Sequence, residues 1–428
     1  MPHPRPRILI ATLGTRGDVQ PYVALAAELT LQGADVVLST GEGFEDMIER
    51  TGARARPVSV NYQALLQQED IRAALHSLTG MIKAARQNIV LQQRIVQELW
   101  QIGLEEKPDL ILFNLKATVM TLVGRRLGVP ALPTSLQPVL AATGDFPLAL
   151  FGLPDMGAFF NRRSYGIGRL LMKAGLGSLF KPLKQEAASE LSMAGSTIDG
   201  HLPGGNAALS LQAFSQALVP TPGDWPSEFW QCGYWFTPPP ADYKPPDDLG
   251  QFLAAGAPPV YLGFGSMPSK NPESLTKTVL SALGQTSQRA ILATGWGGLT
   301  KEALPDGVGE NLFLIDKAPH SWLFPRCAGV VHHGGAGTTH EALRWGRPSL
   351  VCPVFGDQPF WGKRVHAIGA GPAPIAQKKL TPDTLARALQ DLMHPDHAAA
   401  AGKASSVMAH EPGAKGTAAR ILTLAASA

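Results

Sequence analysis

Short apolar runs alternate with helix-like segments along the first third of the chain. Pro21 suits the first turn of a helix, and Gly33 suits the position just past its end. Longer helical stretches are predicted at 64–103 and 116–128. The predicted strands among them are Arg7–Thr12, Ala34–Ser39, Pro108–Phe113 and Val129–Leu132. This alternation predicts a parallel sheet with helices on both faces.

A second alternation begins at residue 260 and includes a helix at 272–286. Its predicted strands are Val260–Phe264, Arg289–Thr294, Asn311–Leu314, Gly329–His332 and Pro348–Pro353. Between the two halves, prolines crowd residues 220–259, which is typical of an extended linker. The pattern predicts an α/β protein with two Rossmann-like parallel-sheet domains, at 1–219 and 260–403, facing each other across a cleft.

Composition narrows the class of protein. The 428 residues are 45% hydrophobic and 17% charged, with 45 glycines and 36 prolines, which excludes disorder, collagen and coiled coil. A net charge of +3 is too balanced for a nucleic-acid-binding surface. Three scattered cysteines fit a reducing compartment, and Pro, Gly and amides interrupt the longest uncharged runs. A soluble, cytoplasmic protein is expected.

The most informative motif is a glycine-rich segment between a predicted strand and a predicted helix, at 332–341. Its glycines let backbone N–H groups approach an anion, and a helix beginning near Thr338 adds its positive end. The hydroxyls of Thr338 and Thr339 can cap that helix or bond phosphate oxygens, and a histidine can add a charge-assisted bond. A glycine turn that only packs helix on strand is the alternative.

Flanking segments make this motif more specific. Ala318–Arg326 precedes it, while Gly346–Pro348 and Phe355–Trp361 follow. Together they resemble the donor-binding signature of GT-B glycosyltransferases of the UDP-glycosyltransferase superfamily, most of all its sterol glucosyltransferases and bacterial natural-product glycosyltransferases. The opening loop Gly14–Pro21 is similar to the loop of the same branch. The resemblance implies a GT-B fold, a UDP-sugar donor and a C-terminal helix, at 404–428, that crosses back to the first domain.

The resemblance also implies roles for individual residues. Glu341 would contact the donor ribose, Ser266 the diphosphate from the opposite loop and Trp296 the base, while Asp357 and Gln358 would bind sugar hydroxyls. The diphosphate would be held by His333, Thr338 and Thr339 with the amides of Gly335, Ala336 and Gly337. The alternatives are a solvated Glu341, Ser266 in a turn, Gln358 capping a loop and Trp296 in a core.

One position departs from the pattern. Lys317 stands where many plant relatives carry the tryptophan that stacks on uracil, so a thymidine diphosphate sugar stays open as the donor.

The implied catalytic base for the acceptor hydroxyl is Asp18, in the opening loop. The alternative is that Asp18 caps the helix starting at Pro21. No Asp-x-Asp occurs, so no metal site is expected, and His394, Asp396 and His397 fit the solvated end of a helix better than a metal site.

Residues 161–185 are a local exception to the balanced charge. They contain six basic and no acidic residues, interleaved with apolar ones. The segment fits a peripheral membrane contact, a lid over an apolar acceptor within a wider 140–200 excursion, or a plain surface.

The predicted function is inverting, metal-independent transfer of a hexose, glucose from UDP-glucose, to a hydroxyl of a sterol, polyketide or phenolic. A nucleotide-sugar epimerase and a catalytically silent nucleotide-sugar-binding protein are the alternatives.

Overall fold

A computed structural model describes residues 5–68, 80, 84, 87–205, 209–240, 242–265, 271–294, 299 and 311–427. The strands of these residues form two parallel sheets. The first sheet has seven described strands in the order β3-β2-β1-β4-β5-β6-β7. They are β1 (Arg7–Ala11), β2 (Asp35–Gly41), β3 (Arg54–Val58), β4 (Leu110–Asn114), β5 (Ala131–Ser135), β6 (Ser210–Gln212) and β7 (Phe229–Gln231).

The second sheet has five described strands in the order β10-β9-β8-β11-β12. They are β8 (Val260–Gly263), β9 (Ala290–Ala293), β10 (Leu312–Ile315), β11 (Gly329–His332) and β12 (Ser349–Val351). All described pairs in both sheets are parallel. The two-domain α/β architecture predicted from the strand–helix alternation is confirmed, and strand order reverses at β1/β4 and at β8/β11.

The α-helices of the described residues mostly connect successive strands. Those of the first half are α1 (Arg16–Leu31), α2 (Glu45–Glu49), α3 (Tyr62–Gln67), α4 (Ile89–Glu106), α5 (Met120–Leu127), α6 (Ala158–Leu179) and α7 (Ala188–His201). Those of the second half are α8 (Asp247–Ala254), α9 (Pro272–Thr286), α10 (His320–Leu323), α11 (Ala336–Arg344), α12 (Gln358–Ala367), α13 (Pro382–Leu392), α14 (Pro395–Ala409) and α15 (Gly413–Ser427). Of the predicted helix 64–103, residues 64–67 lie in α3 and residues 89–103 in α4, and much of the stretch between them lies outside the described residues.

Helices cover both faces of the first sheet, which explains its continuous apolar strands. Successive side chains of a strand point to opposite faces, so Ile8 and Ile10 join one core and Leu9 joins another. The first core also holds residues of α1 and α15, and the second holds residues of α4 and α5. The sheet is therefore buried between two helical layers, and its strand ends are left to form loops.

The first helix begins earlier than the sequence indicated. The prediction placed Pro21 in the first turn, whereas α1 begins at Arg16 and contains Pro21 inside it. Thr15 and Asp18 form a capping box that satisfies the terminal amides, which favours this earlier start. The glycine-rich motif shows the same difference on a smaller scale, because α11 begins at Ala336 rather than at Thr338.

Two predicted boundaries need correction. The stretch 220–259 is not linker throughout, because Phe229–Gln231 contains no proline and pairs with β6 as a seventh strand. The predicted helix 404–428 is two helices: residues 404–409 complete α14, and Pro412 with Gly413, whose φ is +56°, separates it from α15. The second of these helices packs on α1 and joins the core of the first domain.

A single apolar cluster connects the two halves of the chain. Phe146 and Phe214 belong to the first half, whereas Phe360 and Trp361 lie on α12. The rings of Phe146 and Phe360 meet edge to face with centroids 5.3 Å apart. This shared core holds the carboxyl ends of the two sheets in a defined relation.

Candidate active site

Asp18 lies at the carboxyl edge of the first sheet, where strand order reverses between β1 and β4. In open α/β sheets, ligands bind at such reversal points. The Asp18 carboxylate accepts the Thr15 backbone N–H at 2.9 Å and the Thr15 hydroxyl at 3.3 Å. Lys116, two residues beyond β4, places its Nζ 3.3 Å from the same carboxylate oxygen, Oδ2. All three of these contacts use Oδ2, and the side chain remains a quarter exposed, at 25%.

The backbone of Gly14 makes room for this carboxylate. Gly14 has φ +143°, and a Cβ at this position would lie 2.7 Å from the Cβ of Asp18 and closer still to its carboxylate. Only glycine leaves that space. Asp18 does cap a helix, as the alternative interpretation held, but it does so from the third helical position and keeps one oxygen, Oδ1, out of these contacts.

The equivalent reversal point of the second sheet lies between β8 and β11 and holds His333. Its ring fits between two glycines, because a Cβ on Gly265 would lie 2.5 Å from Cε1 and a Cβ on Gly335 would lie 2.7 Å from Nε2. Burial lowers the pKa of His333 to about 4. Burial thus favours the neutral imidazole in the free protein.

The loop after β11 leads into the nine-residue helix α11, whose first amides have no acceptor within the helix. Gly335 is its N-cap and Ala336 and Gly337 open its first turn, as a phosphate cradle requires.

The two threonines of the motif, Thr338 and Thr339, differ in their surroundings. Thr339 is fully buried and donates its hydroxyl to the Gly335 carbonyl at 2.9 Å, so its proton is not available to a phosphate. Thr338 is part-exposed at the same end of the helix and remains the candidate.

Three further polar residues of the motif have defined partners. Glu341 accepts the Trp345 indole N–H at 2.7 Å, and burial raises its pKa. Asp357 accepts the Trp361 indole N–H at 2.8 Å, and its pKa is raised by burial and also by the charge of Asp18. Gln358 uses its side-chain carbonyl to accept the Val354 N–H at 2.8 Å. That last bond is the loop-capping role given as its alternative.

Electrostatics place three carboxylates around one phenol. Asp18, Glu341 and Asp357 each raise the pKa of Tyr234, which burial raises most. Tyr234 follows β7, stacks on His340 with ring centroids 4.4 Å apart and faces the start of α11. Because α1, which begins next to Asp18, also contacts α11, the two sheets face each other at this place.

Sequence reasoning missed three residues of this site. Lys116 falls in the predicted helix 116–128, although its position just after β4 at a reversal point marks it as a site residue. The side chain of Gln137, beyond β5, lowers the pKa of Asp357 in the other half of the chain. Tyr234 falls in the predicted linker 220–259. Two predicted residues, Ser266 and Trp296, lie outside the described residues.

Two families match separate parts of the chain. Residues 8–141 match the family described as Glycosyltransferase family 28 N-terminal domain. Residues 277–424 match the family described as Erythromycin biosynthesis protein CIII-like, C-terminal domain. The first match includes Asp18, and the second includes the whole glycine-rich motif.

Curated relatives are about a third identical to the chain over the aligned residues. A sterol 3-beta-glucosyltransferase of Arabidopsis thaliana is 33% identical over 428 residues, covering 96% of this chain and 66% of the plant protein. A sterol 3-beta-glucosyltransferase of Aspergillus clavatus is 31% identical over 403 residues, covering 91% of this chain and 27% of the fungal protein. The chain thus spans just under two thirds of the plant relative and 27% of the fungal one.

Solved structures share the fold over nearly the whole chain. The glycotransferase of kitacinnamycin has a TM-score of 0.69 at 19% identity and covers 98% of this chain and 99% of its own. The calicheamicin glycosyltransferase CalG4 has a TM-score of 0.68 at 16% identity, with 99% of each chain covered. Glycosyltransferase VinC, in complex with DTDP, has a TM-score of 0.65 at 21% identity, covering 99% of this chain and 100% of its own. These matches confirm the predicted GT-B arrangement.

Proposed function

Because the chain belongs to the GT-B glycosyltransferases, we propose that it transfers glucose from UDP-glucose to a hydroxyl of an apolar small molecule. The plant and fungal relatives named above are sterol 3-beta-glucosyltransferases, so a sterol is the first acceptor to test, with polyketides and phenolics next. The observation that carries the proposal is that α1, which holds Asp18, contacts α11, the helix that follows the glycine-rich motif.

Asp18 is the proposed general base. The acceptor oxygen attacks the anomeric carbon, its proton passes to Asp18 Oδ1, and the bond from the anomeric carbon to the diphosphate oxygen breaks. Attack from the face opposite the diphosphate inverts the configuration at that carbon. Thr15 and Lys116 hold Oδ2, which orients the other oxygen towards the acceptor. The Thr15 amide and the Lys116 ammonium therefore fix the position of the proposed base.

The donor diphosphate would lie at the N-terminus of α11. Its charge would be offset by the open amides of Gly335, Ala336 and Gly337, by the helix dipole and by hydrogen bonds from His333 and Thr338. Glu341 would accept bonds from the ribose hydroxyls, and Asp357 from the sugar hydroxyls. Both carboxylates have one oxygen fixed by an indole N–H, which holds them in orientation.

We propose that transfer needs no divalent metal, since the chain contains no Asp-x-Asp sequence and offers the α11 end in its place. Chelation tests this part separately. The rate should be unchanged after treatment with EDTA and gel filtration. A loss of rate that added Mg²⁺ restores would contradict metal independence without affecting the assignment of transfer.

A reducing compartment, the cytoplasm, is the proposed location. Cys232, Cys327 and Cys352 are free and buried. Burial raises the pKa of each thiol to about 12, so the thiols stay protonated and unreactive. None of the three cysteines forms a disulfide in this structure.

Product analysis tests the proposed function. The protein is incubated with UDP-glucose or TDP-glucose, alone and with a panel of lipophilic alcohols, and products are identified by mass spectrometry. Release of nucleotide diphosphate that depends on the acceptor, together with a hexosylated product, is expected. Epimerised donor in the absence of acceptor would select an epimerase instead. Donor binding with no turnover across the panel would select a silent binding protein.

A further inference from the structure

Helix α6 (Ala158–Leu179) exposes several large apolar side chains to solvent. Its buried positions are Asn161, Ser164, Tyr165 and Gly168, and Met172, Leu176 and Leu179 pack partly buried against the second core. The large apolar side chains of the same helix are mostly exposed: Phe159 62%, Phe160 55%, Ile167 61%, Leu170 68% and Leu171 51%. An ordinary surface helix shows the opposite arrangement. These five side chains therefore do not pack into the core of the molecule.

The exposed residues form one surface rather than scattered points. Phe160, Ile167 and Leu171 are seven and four residues apart, which places them on one line along a helix, and Phe159 and Leu170 flank it. Leu153 and Met156, just before the helix, are also exposed, at 37% and 61%. We call these seven residues the α6 face. Apolar patches of this size on a protein surface mark contacts with partners or membranes.

Positive charge borders the α6 face. Residues 161–185 carry six basic side chains and no acidic one. The guanidinium of Arg163 lies over the ring of Phe159, 5.1 Å from its centroid, and Lys181 and Lys184 are exposed beyond the helix. Asp224 pairs with Arg162 at 2.8 Å, and Asp155, between Leu153 and Met156, accepts the Asn161 amide at 2.8 Å.

We infer that the α6 face docks on the surface of an anionic phospholipid bilayer, with α6 lying in the plane of the interface. Apolar side chains would enter the headgroup boundary while Arg163, Lys181 and Lys184 meet lipid phosphates. A second copy of the chain fits less well, because residues 161–185 of that copy carry no acidic side chain to pair with the basic ones. The contact is peripheral: within the described part of the chain, no helix combines the length and apolarity needed to cross a bilayer.

Vesicle co-sedimentation tests this inference, and it does not depend on the proposed sugar transfer. The probes are large vesicles of phosphatidylcholine alone and of phosphatidylcholine with about a third phosphatidylglycerol. The test variant is Phe160→Ser/Ile167→Ser/Leu171→Ser. The matched control, Leu31→Ser/Met393→Ser/Val407→Ser, removes three exposed apolar residues from other surfaces, where they are 81%, 41% and 46% exposed.

The wild type should bind anionic vesicles at least about tenfold more tightly than neutral ones, and the α6 variant should lose at least about tenfold in that binding. The control should bind like the wild type, and all three proteins should bind UDP equally in calorimetry. Arg163→Gln/Lys181→Gln/Lys184→Gln should weaken binding and its salt dependence. Equal vesicle binding by wild type and α6 variant would overturn the inference. A wild-type dimer that the α6 variant converts to a monomer, without lipid binding, would overturn it in favour of self-association.

Discussion

Replacing Gly14 with alanine should displace the carboxylate of Asp18, the proposed base, while leaving its chemical identity unchanged. The new Cβ would lie 2.7 Å from the Cβ of Asp18, whereas unbonded carbons rest at about 3.5–4.0 Å, so the side chain must withdraw by about 1 Å. A misplacement of that size at a reacting group costs about 100-fold in rate. The φ of +143° adds roughly 1–3 kcal/mol of strain, which a folded protein of this size tolerates.

The assay compares Gly14→Ala with Gly17→Ala, a glycine of the same turn whose Cβ would meet only the Thr15 hydroxyl, at 3.9 Å. Initial rates of nucleotide diphosphate release should fall about 100-fold for Gly14→Ala and stay near wild type for Gly17→Ala. Donor affinity, measured by calorimetry, should be the same in both, and thermal unfolding should show a folded protein. A Gly14→Ala rate within threefold of wild type would refute the argument that this glycine fixes the position of Asp18.

Three further predictions concern the second domain. Gly265→Ala should raise the donor KM at least about tenfold, because its Cβ would meet the His333 ring at 2.5 Å, and should also lower the unfolding temperature, because a φ of +68° is strained for alanine; an unchanged KM would contradict this. Thr338→Val should weaken UDP binding in calorimetry, whereas Thr339→Val should lower the unfolding temperature and leave UDP binding intact; the reverse pattern would overturn the distinction. Burial lowers the pKa of His340 from 6.5 to about 4, so the unfolded chain takes up the proton first and stability falls as the pH drops from 6.5 towards 4. His340→Gln should remove roughly 2 kcal/mol of the stability lost between pH 7 and pH 5 in urea unfolding, and an undiminished loss would argue against that pKa.

Periodicity was sufficient to predict two parallel sheets, because strands buried on both faces are apolar throughout and short enough to separate from the helices around them. It placed helix starts poorly where a proline and a capping box compete. Pro21 satisfies the rule for a first turn, yet Thr15 and Asp18 bond each other's backbone and begin α1 five residues earlier. Such reciprocal bonds depend on side-chain geometry as well as spacing.

The glycine-rich motif could be recognised from spacing, since a phosphate cradle is local in sequence. The contact of Asp18 with Lys116 could not be recognised in this way. It forms because β1 pairs with β4, and these strands are about a hundred residues apart in the chain. Likewise, residue type alone predicts that Thr338 and Thr339 are equivalent. Their difference arises from the turn of α11, which buries one hydroxyl and leaves the other at the open end.

The central claim is that Asp18 removes the acceptor proton in a glucosyl transfer. It is tested most directly by measuring kcat and the donor Kd of Asp18→Asn beside the wild type, with the best donor and acceptor from the product screen. Asparagine keeps the size of the side chain but cannot take the proton. The account predicts a fall in kcat of about 1000-fold with a donor Kd within twofold of wild type. A variant that turns over within threefold of wild type would contradict it.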